Sequence, residues 1–259
     1  MKRLSLFMAL GAVCAWSIDI PRIGFARDAQ GRVVSINGIA GNFIAGDASA
    51  AGLTVSFSWN GSYGIRKTDS TIEWWDSSGA TLATLDAPAG DAVIGFGVRS
   101  ALIYSKSADA LYEVKANQWR LQQVPVGLLS GDAEVLAVTG RPDSIDIAIR
   151  RPGGLFIASF DPSTGSRLAE AALTRPASAV LFLGAGAIAG AIAGIEGSTI
   201  WMARADGSEW SIDTGTPLTD LSWMGGEWLQ LSSADRQYAL RIRSGSDPAL
   251  YTLPLAAPE

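Results

Sequence analysis

The chain has no histidine and a single cysteine, Cys14, among 259 residues. Lacking histidine, it has no Ser-His-Asp or Cys-His catalysis and no His-based metal site. Cys14 lies in the opening segment, so a chain cut after Ala15 carries no thiol, and neither disulfides nor thiolate chemistry is open to it. Carboxylate chemistry, Ser-Lys pairs and oxygen-ligated Ca2+ remain. Charge is scarce too: Asp, Glu, Lys and Arg make up 17% of the chain, against about 25% in typical domains. No run of Lys and Arg exceeds two residues, and the formal net charge is −5. Without Lys2 and Arg3 it is −7, from 18 basic and 25 acidic residues. That balance excludes general nucleic-acid binding, which needs a basic footprint. No long amphipathic helical pattern follows residue 17.

What is present is a repeat. Residues 53–86, LTVSFSWNGSYGIRKTDSTIEWWDSSGATLATLD, read as four short strands: Thr54–Ser58, Tyr63–Thr68, Thr71–Trp75 and Thr81–Leu85. Apolar residues alternate or run in short blocks, and the breaks are Asn60-Gly61, Asp69-Ser70 and Asp76-Ser-Ser-Gly79. Asn-Gly supplies the positive φ angles of a tight hairpin. Further copies open at Val93, Val135, Val180 and Leu221, at intervals from Val55 of 38, 42, 45 and 41 residues. A period of about 41 residues is that of a four-stranded propeller blade. Within each copy an apolar strand reaches a polar turn and another strand follows, as in EWW-DSSG-ATLATL and FIASF-DPSTG-SRLAEA. One four-stranded sheet cannot bury both faces, whereas blades stacked around an axis bury them and leave short edges.

These repeats resemble the broad β-propeller superfamily, including WD40-like groups and bacterial secreted proteins built from a signal peptide followed by such repeats. The resemblance spans residues 53–255 and implies the architecture; the Gly-His…Trp-Asp signature of standard WD40 arrays is absent. The expected fold is all-β, a propeller of five to six four-stranded blades. Residues 16–52 start or complete the ring and residues 53–259 form the repeats. Asp28-Ala-Gln-Gly31 separates strands Ile23–Ala26 and Arg32–Ile36, Asn42–Ala45 adds a third short strand, and residues 46–52 read as a linker. If the N-terminal strands form a partial blade there are six blades; if they join the last copy there are five.

The opening MKRLSLFMALGAVCAWS has the parts of a secretory signal: basic Lys2 and Arg3, apolar Leu4–Ala12, and small residues before a cut after Ala15. The apolar run is too short for a permanent membrane span. Export to the periplasm or the cell exterior is the expectation. Gly11 and Val13, at −3 and −1 of Cys14, match a lipoprotein signal poorly.

Residues 179–195, AVLFLGAGAIAGAIAGI, carry three readings. Gly184-x-Gly186-x-x-Ala189 after a strand, with Asp206 twenty residues beyond Gly186, resembles a dinucleotide-binding fingerprint. Gly190 and Gly194 disfavour the helix it needs, and the following residues read as strands. A membrane span of 17 Gly- and Ala-rich residues is at the short limit. The third reading, two strands of the fourth full copy, fits the period, and the register decides for it.

Acids are numerous but unpatterned. Asp143 and Asp146 come nearest to a pair for glycoside hydrolysis. Asp76, Asp161 and Asp206 read as Asx-turn residues, and no Ca2+-loop spacing occurs. Of nine tryptophans, Trp59, Trp74, Trp75, Trp119, Trp201, Trp210, Trp223 and Trp228 fall on or beside strands. They read as blade packing before they read as a binding face. No catalytic, cofactor or metal residue is assigned, and no cofactor is expected. The sequence therefore points to an exported, non-enzymatic interaction module whose partner is a protein or polysaccharide. The alternatives are a secreted carbohydrate-active enzyme using paired carboxylates and an envelope assembly factor.

Overall fold

Short apolar blocks interrupted by Gly, Asn, Asp and Ser close hairpin after hairpin, because each turn supplies its own hydrogen bonds. At Asn60-Gly61, Gly61 takes φ 68° and the Asn60 side chain accepts from Ser62 N at 3.0 Å. The computed structural model describes residues 20–97, 100–115, 118–126, 133–184, 190–204, 206–243 and 246–255. The proposed signal segment, residues 1–15, lies outside them.

The strands form six sheets, the blades of a propeller. Blade 1 holds β1 (Arg22–Arg27), β2 (Arg32–Ile39) and β3 (Asn42–Ala51). Blade 2 holds β4 (Thr54–Phe57), β5 (Tyr63–Lys67), β6 (Thr71–Asp76) and β7 (Thr81–Asp86). Blade 3 holds β8 (Ala92–Phe96), β9 (Ser100–Ser105), β10 (Ala110–Lys115) and β11 (Leu121–Gln123). Blade 4 holds β12 (Glu134–Gly140), β13 (Ile145–Arg151), β14 (Gly154–Phe160) and β15 (Arg167–Leu173). Blade 5 holds β16 (Ala179–Phe182), β17 (Ile192–Glu196), β18 (Thr199–Ala203) and β19 (Glu209–Asp213). Blade 6 holds β20 (Leu218–Gly225), β21 (Trp228–Ser233), β22 (Gln237–Arg241) and β23 (Ala249–Thr252). Each sheet is antiparallel, in sequence order.

The core lies between blades. Ile65, Ile72 and Trp74 of blade 2 pack with Ile94, Ala101 and Ile103 of blade 3. Trp75 turns to the other side, into a cluster with Val55, Phe57 and Val33. Neighbours on a strand face opposite ways, and a propeller blade buries both faces.

Innermost strands lie side by side around the channel and run the same way. Thr54 Oγ1 donates to Ala92 O at 3.1 Å, and Thr139 Oγ1 to Phe96 O at 3.1 Å. A Cβ on Gly95 would sit 1.6 Å from Val138 O, so only glycine lets β8 approach β12 this closely. Blade 1 breaks the rule. Gly24 lies on Met224 while Arg27 pairs with Asp220, so β1 runs against β20. Second strands run in that sense, so β1, β2 and β3 stand where the second, third and outer strands of other blades stand. Blade 1 lacks an innermost strand, and β20 touches β4 directly behind the channel. There are thus six blades, five of which give the channel an innermost strand, while blade 1 reaches it through Arg27.

One expectation changes in blade 1. The predicted linker 46–52 is strand as far as Ala51. Small residues permit it, because β3 is an exposed edge bulged against β2, with register shifts at Arg32/Val34 and Val34/Ile36. The N-terminal strands form a blade of their own, the arrangement that gives six, and side chains close the ring. The amide of buried Gln230 on β21 accepts from Arg27 N at 2.7 Å and donates to Arg27 O at 2.6 Å, as a neighbouring strand would. Phe43 meets Trp228 and Tyr251 edge-on at 5.6 and 5.9 Å, and Phe25 stacks on Phe57 at 5.5 Å.

Candidate functional site: one mouth of the channel

Parallel innermost strands deliver their C-terminal ends to one mouth. β4 runs on to Trp59, β8 to Gly97, β12 to Arg141 and Pro142, and β16 to Leu183 and Gly184. A Cβ at Gly184 would lie 2.5 Å from Trp59 Cγ, so the glycine admits the indole. A cavity of about 210 Å³ opens here, walled by Trp59, Phe96, Phe182 and Pro142 and edged by Arg141. Inside the channel lies a second cavity of about 180 Å³, whose only charged lining residues are Arg27 and Asp220. Between blades 3 and 4 the mouth continues into a cleft of about 960 Å³ lined by Ser100, Glu113, Lys115, Gln122, Gln123 and Arg141, among others.

Arg141 belongs to both the mouth cavity and the cleft. Its Nε donates to the Asp146 carboxylate, which is buried and also accepts from Ser159 Oγ at 2.7 Å and Ser144 Oγ at 3.4 Å. The guanidinium is held from one side. Its Nη atoms have no hydrogen-bond partner among the described residues, and the side chain is 48% exposed. In the cleft Lys115 faces Glu113 at 3.4 Å.

The opposite mouth is paired off. Arg27 meets Asp220 at 2.9 Å, and Arg150 meets Glu134 at 2.6 Å while also donating to the Ala177 and Ser178 carbonyls. Lys67 is buried, with its ammonium on Thr68 O at 2.7 Å and Asp69 O at 2.6 Å. Burial holds its pKa below the usual lysine value, and the charges of Asp69 and Asp91 pull the other way. Burial, with the hydrogen bond to Asp109, raises the Tyr104 phenol above its ordinary value.

Asp143 and Asp146 do not form a working carboxylate pair: Asp143 is an exposed turn residue and Asp146 is neutralised by Arg141. Each of the three cavities holds at most one carboxylate. Asp76, Asp161 and Asp206 sit in turns and accept from the backbone N–H two residues on, at 2.8, 2.7 and 2.8 Å. Hydrogen bonds from Ser78, Ser163 and Ser208 hold these three carboxyls below the usual carboxylate range. Gly184 of the nucleotide-like fingerprint lies two residues past the end of β16, and the next described element is β17; Gly186 and Ala189 lie outside the described residues. Trp74, Trp75, Trp201, Trp223 and Trp228 are buried, and Trp59, Trp119 and Trp210 are half-buried. Among the described residues no His, Cys, Asp or Glu cluster could hold a metal, and no helix is long and apolar enough to cross a membrane.

Sequence reasoning missed Arg141 and Gln230. The signal that could have found Arg141 is positional: it directly follows VLAVTG, and the residues that follow β8, β12 and β16 (Gly97, Arg141 and Leu183) line the mouth cavity.

No family model matches the chain, and no curated protein matches it. Among solved structures it is similar to the β-propeller domain of Cps50 (Swd1) from Myceliophteria thermophila. That match has a TM-score of 0.50 and 13% identity, and covers 79% of this chain and 71% of that one. A chain of the mitotic checkpoint complex matches at a TM-score of 0.48 and 15% identity, over 87% and 74% of the two chains. The class is a β-propeller, without the signature residues of standard WD40 arrays.

Proposed function

We propose that the chain is an exported propeller that binds a protein partner at the mouth where its innermost strands end. One observation carries the reading. This mouth joins an apolar cavity to a guanidinium whose Nη atoms are unpaired among the described residues, while charges at the other mouth pair with one another. Propellers of this fold typically serve as interaction modules, which is analogy at the level of fold. A protein partner is favoured over a polysaccharide because no tryptophan is exposed among the described residues and Tyr63, the one exposed aromatic among them, is not part of the mouth cavity. The cavities also lack the facing carboxylates that glycoside hydrolysis needs. Export rests on residues 1–15 and accords with a ring whose described strands close without them.

The test has two arms. N-terminal sequencing of the protein recovered outside the cytoplasm should begin at Trp16; an intact Met1 end on cytoplasmic protein contradicts export. The mature chain, used as bait against envelope and culture fractions, should retain a protein saturably. Retention on polysaccharide alone contradicts the choice of partner.

A further inference from the structure

We infer that the mouth receives an acidic peptide segment, with a carboxylate on the Nη edge of Arg141 and the adjacent apolar side chain in the cavity walled by Trp59, Phe96 and Phe182. This rests on the interaction reading above and names the chemistry its partner presents.

Size selects the kind of group. A cavity of about 210 Å³ is smaller than the ~300–1,000 Å³ of sites that enclose whole small ligands. It suits one side chain, with the rest of the ligand outside. The cleft of about 960 Å³ supplies that outside, and the two spaces share Gly97, Gly140, Arg141 and Pro142. Gln122 and Gln123 line the cleft, and a side-chain amide offers both a donor and an acceptor to a passing peptide group.

Charge selects the partner atom. Buried Asp146 holds Nε of Arg141, while the side chain is 48% exposed and its Nη atoms are unpaired among the described residues. A planar guanidinium edge fits a carboxylate with two parallel hydrogen bonds. The chain has a net charge of −5, so long-range attraction does not draw an acidic ligand in. Recognition is therefore local, and the carboxylate must sit beside an apolar anchor to be held.

The test uses the mature chain and three pools of fluorescein-labelled nonapeptides in anisotropy titrations. The first pool carries Leu, Ile, Phe or Met followed by Asp or Glu. The second replaces the acids with Asn and Gln, and the third keeps the acids but replaces the apolar residue with Ala. The first pool should bind at least about tenfold more tightly than either other pool. Arg141→Lys keeps a cation for Asp146, so melting should be unchanged while the acid preference is lost; Arg141→Gln should lose the preference and melt lower. Equal binding of the acid and amide pools, no binding by any pool, or preferential binding of polygalacturonate overturns the inference. A protein captured in the bait experiment and cross-linked at the mouth, but indifferent to Arg141→Lys, overturns it while leaving the interaction reading standing.

Discussion

Two glycines separate close packing from backbone strain. Gly95 has no positive φ, but its missing Cβ is replaced by Val138 O of the next blade. Gly95→Ala must push β8 from β12 and should cost about 3 kcal/mol, the upper end of ordinary overpacking. Gly79, at φ 87° in the β6–β7 turn, has open space around it. Gly79→Ala should cost only about 1–2 kcal/mol, from left-handed strain. Urea unfolding of the two variants checks the order, and equal losses would contradict the close contact of innermost strands. Gln230 is the third telling residue. Gln230→Leu leaves both backbone groups of Arg27 without their side-chain partner and removes one of the two donors to Gln237 Oε1, which keeps Ser232 Oγ at 3.0 Å. Each unmet buried group costs about 1–3 kcal/mol, so a loss of at least ~2 kcal/mol is expected, measured in the same way.

Among elements, the turns between third and outer strands share a device: Asp76-x-Ser78, Asp161-x-Ser163 and Asp206-x-Ser208. Their carboxyls have folded pKa values below the ordinary one. Such a group stabilises the fold fully above its unfolded pKa, about 3.9, and the contribution fades as pH falls through the folded value. The urea midpoint should therefore drop as pH is lowered from about 5 to about 3. A triple Asp→Asn variant at 76, 161 and 206 should show a shallower drop, and an unaltered slope would show the turns carry none of it. These turns were legible in sequence because Asx chemistry is local, and so was nearly every strand of blades 2 to 6. Blade 1 was legible only in part. Strand patterns give faces but not direction relative to a distant strand, so nothing in RIGFAR announces that it opposes β20. The GDASAA run of β3 reads as linker because its strand pairing comes from β2, not from its own apolar pattern.

At the scale of the molecule, the repeat period fixes the propeller because stacking buries both faces of every sheet. The same period left the blade count between five and six, and the structure contains the reason: six sheets, with five innermost strands around the channel. The mouth was not legible. Trp59, Phe96, Arg141 and Phe182 lie far apart in the chain and meet only when parallel strands end together, and a period carries no information about which loop residues converge. In the proposed function this mouth, and not the outer rim, meets the partner. Photo-cross-linking tests it most directly, with a benzoylphenylalanine placed at Pro142 in one protein and at Ser78, on the rim, in another. Each is exposed to the captured partner. A covalent adduct from position 142 and none from position 78 is the expected result; an adduct from position 78 alone would contradict the account.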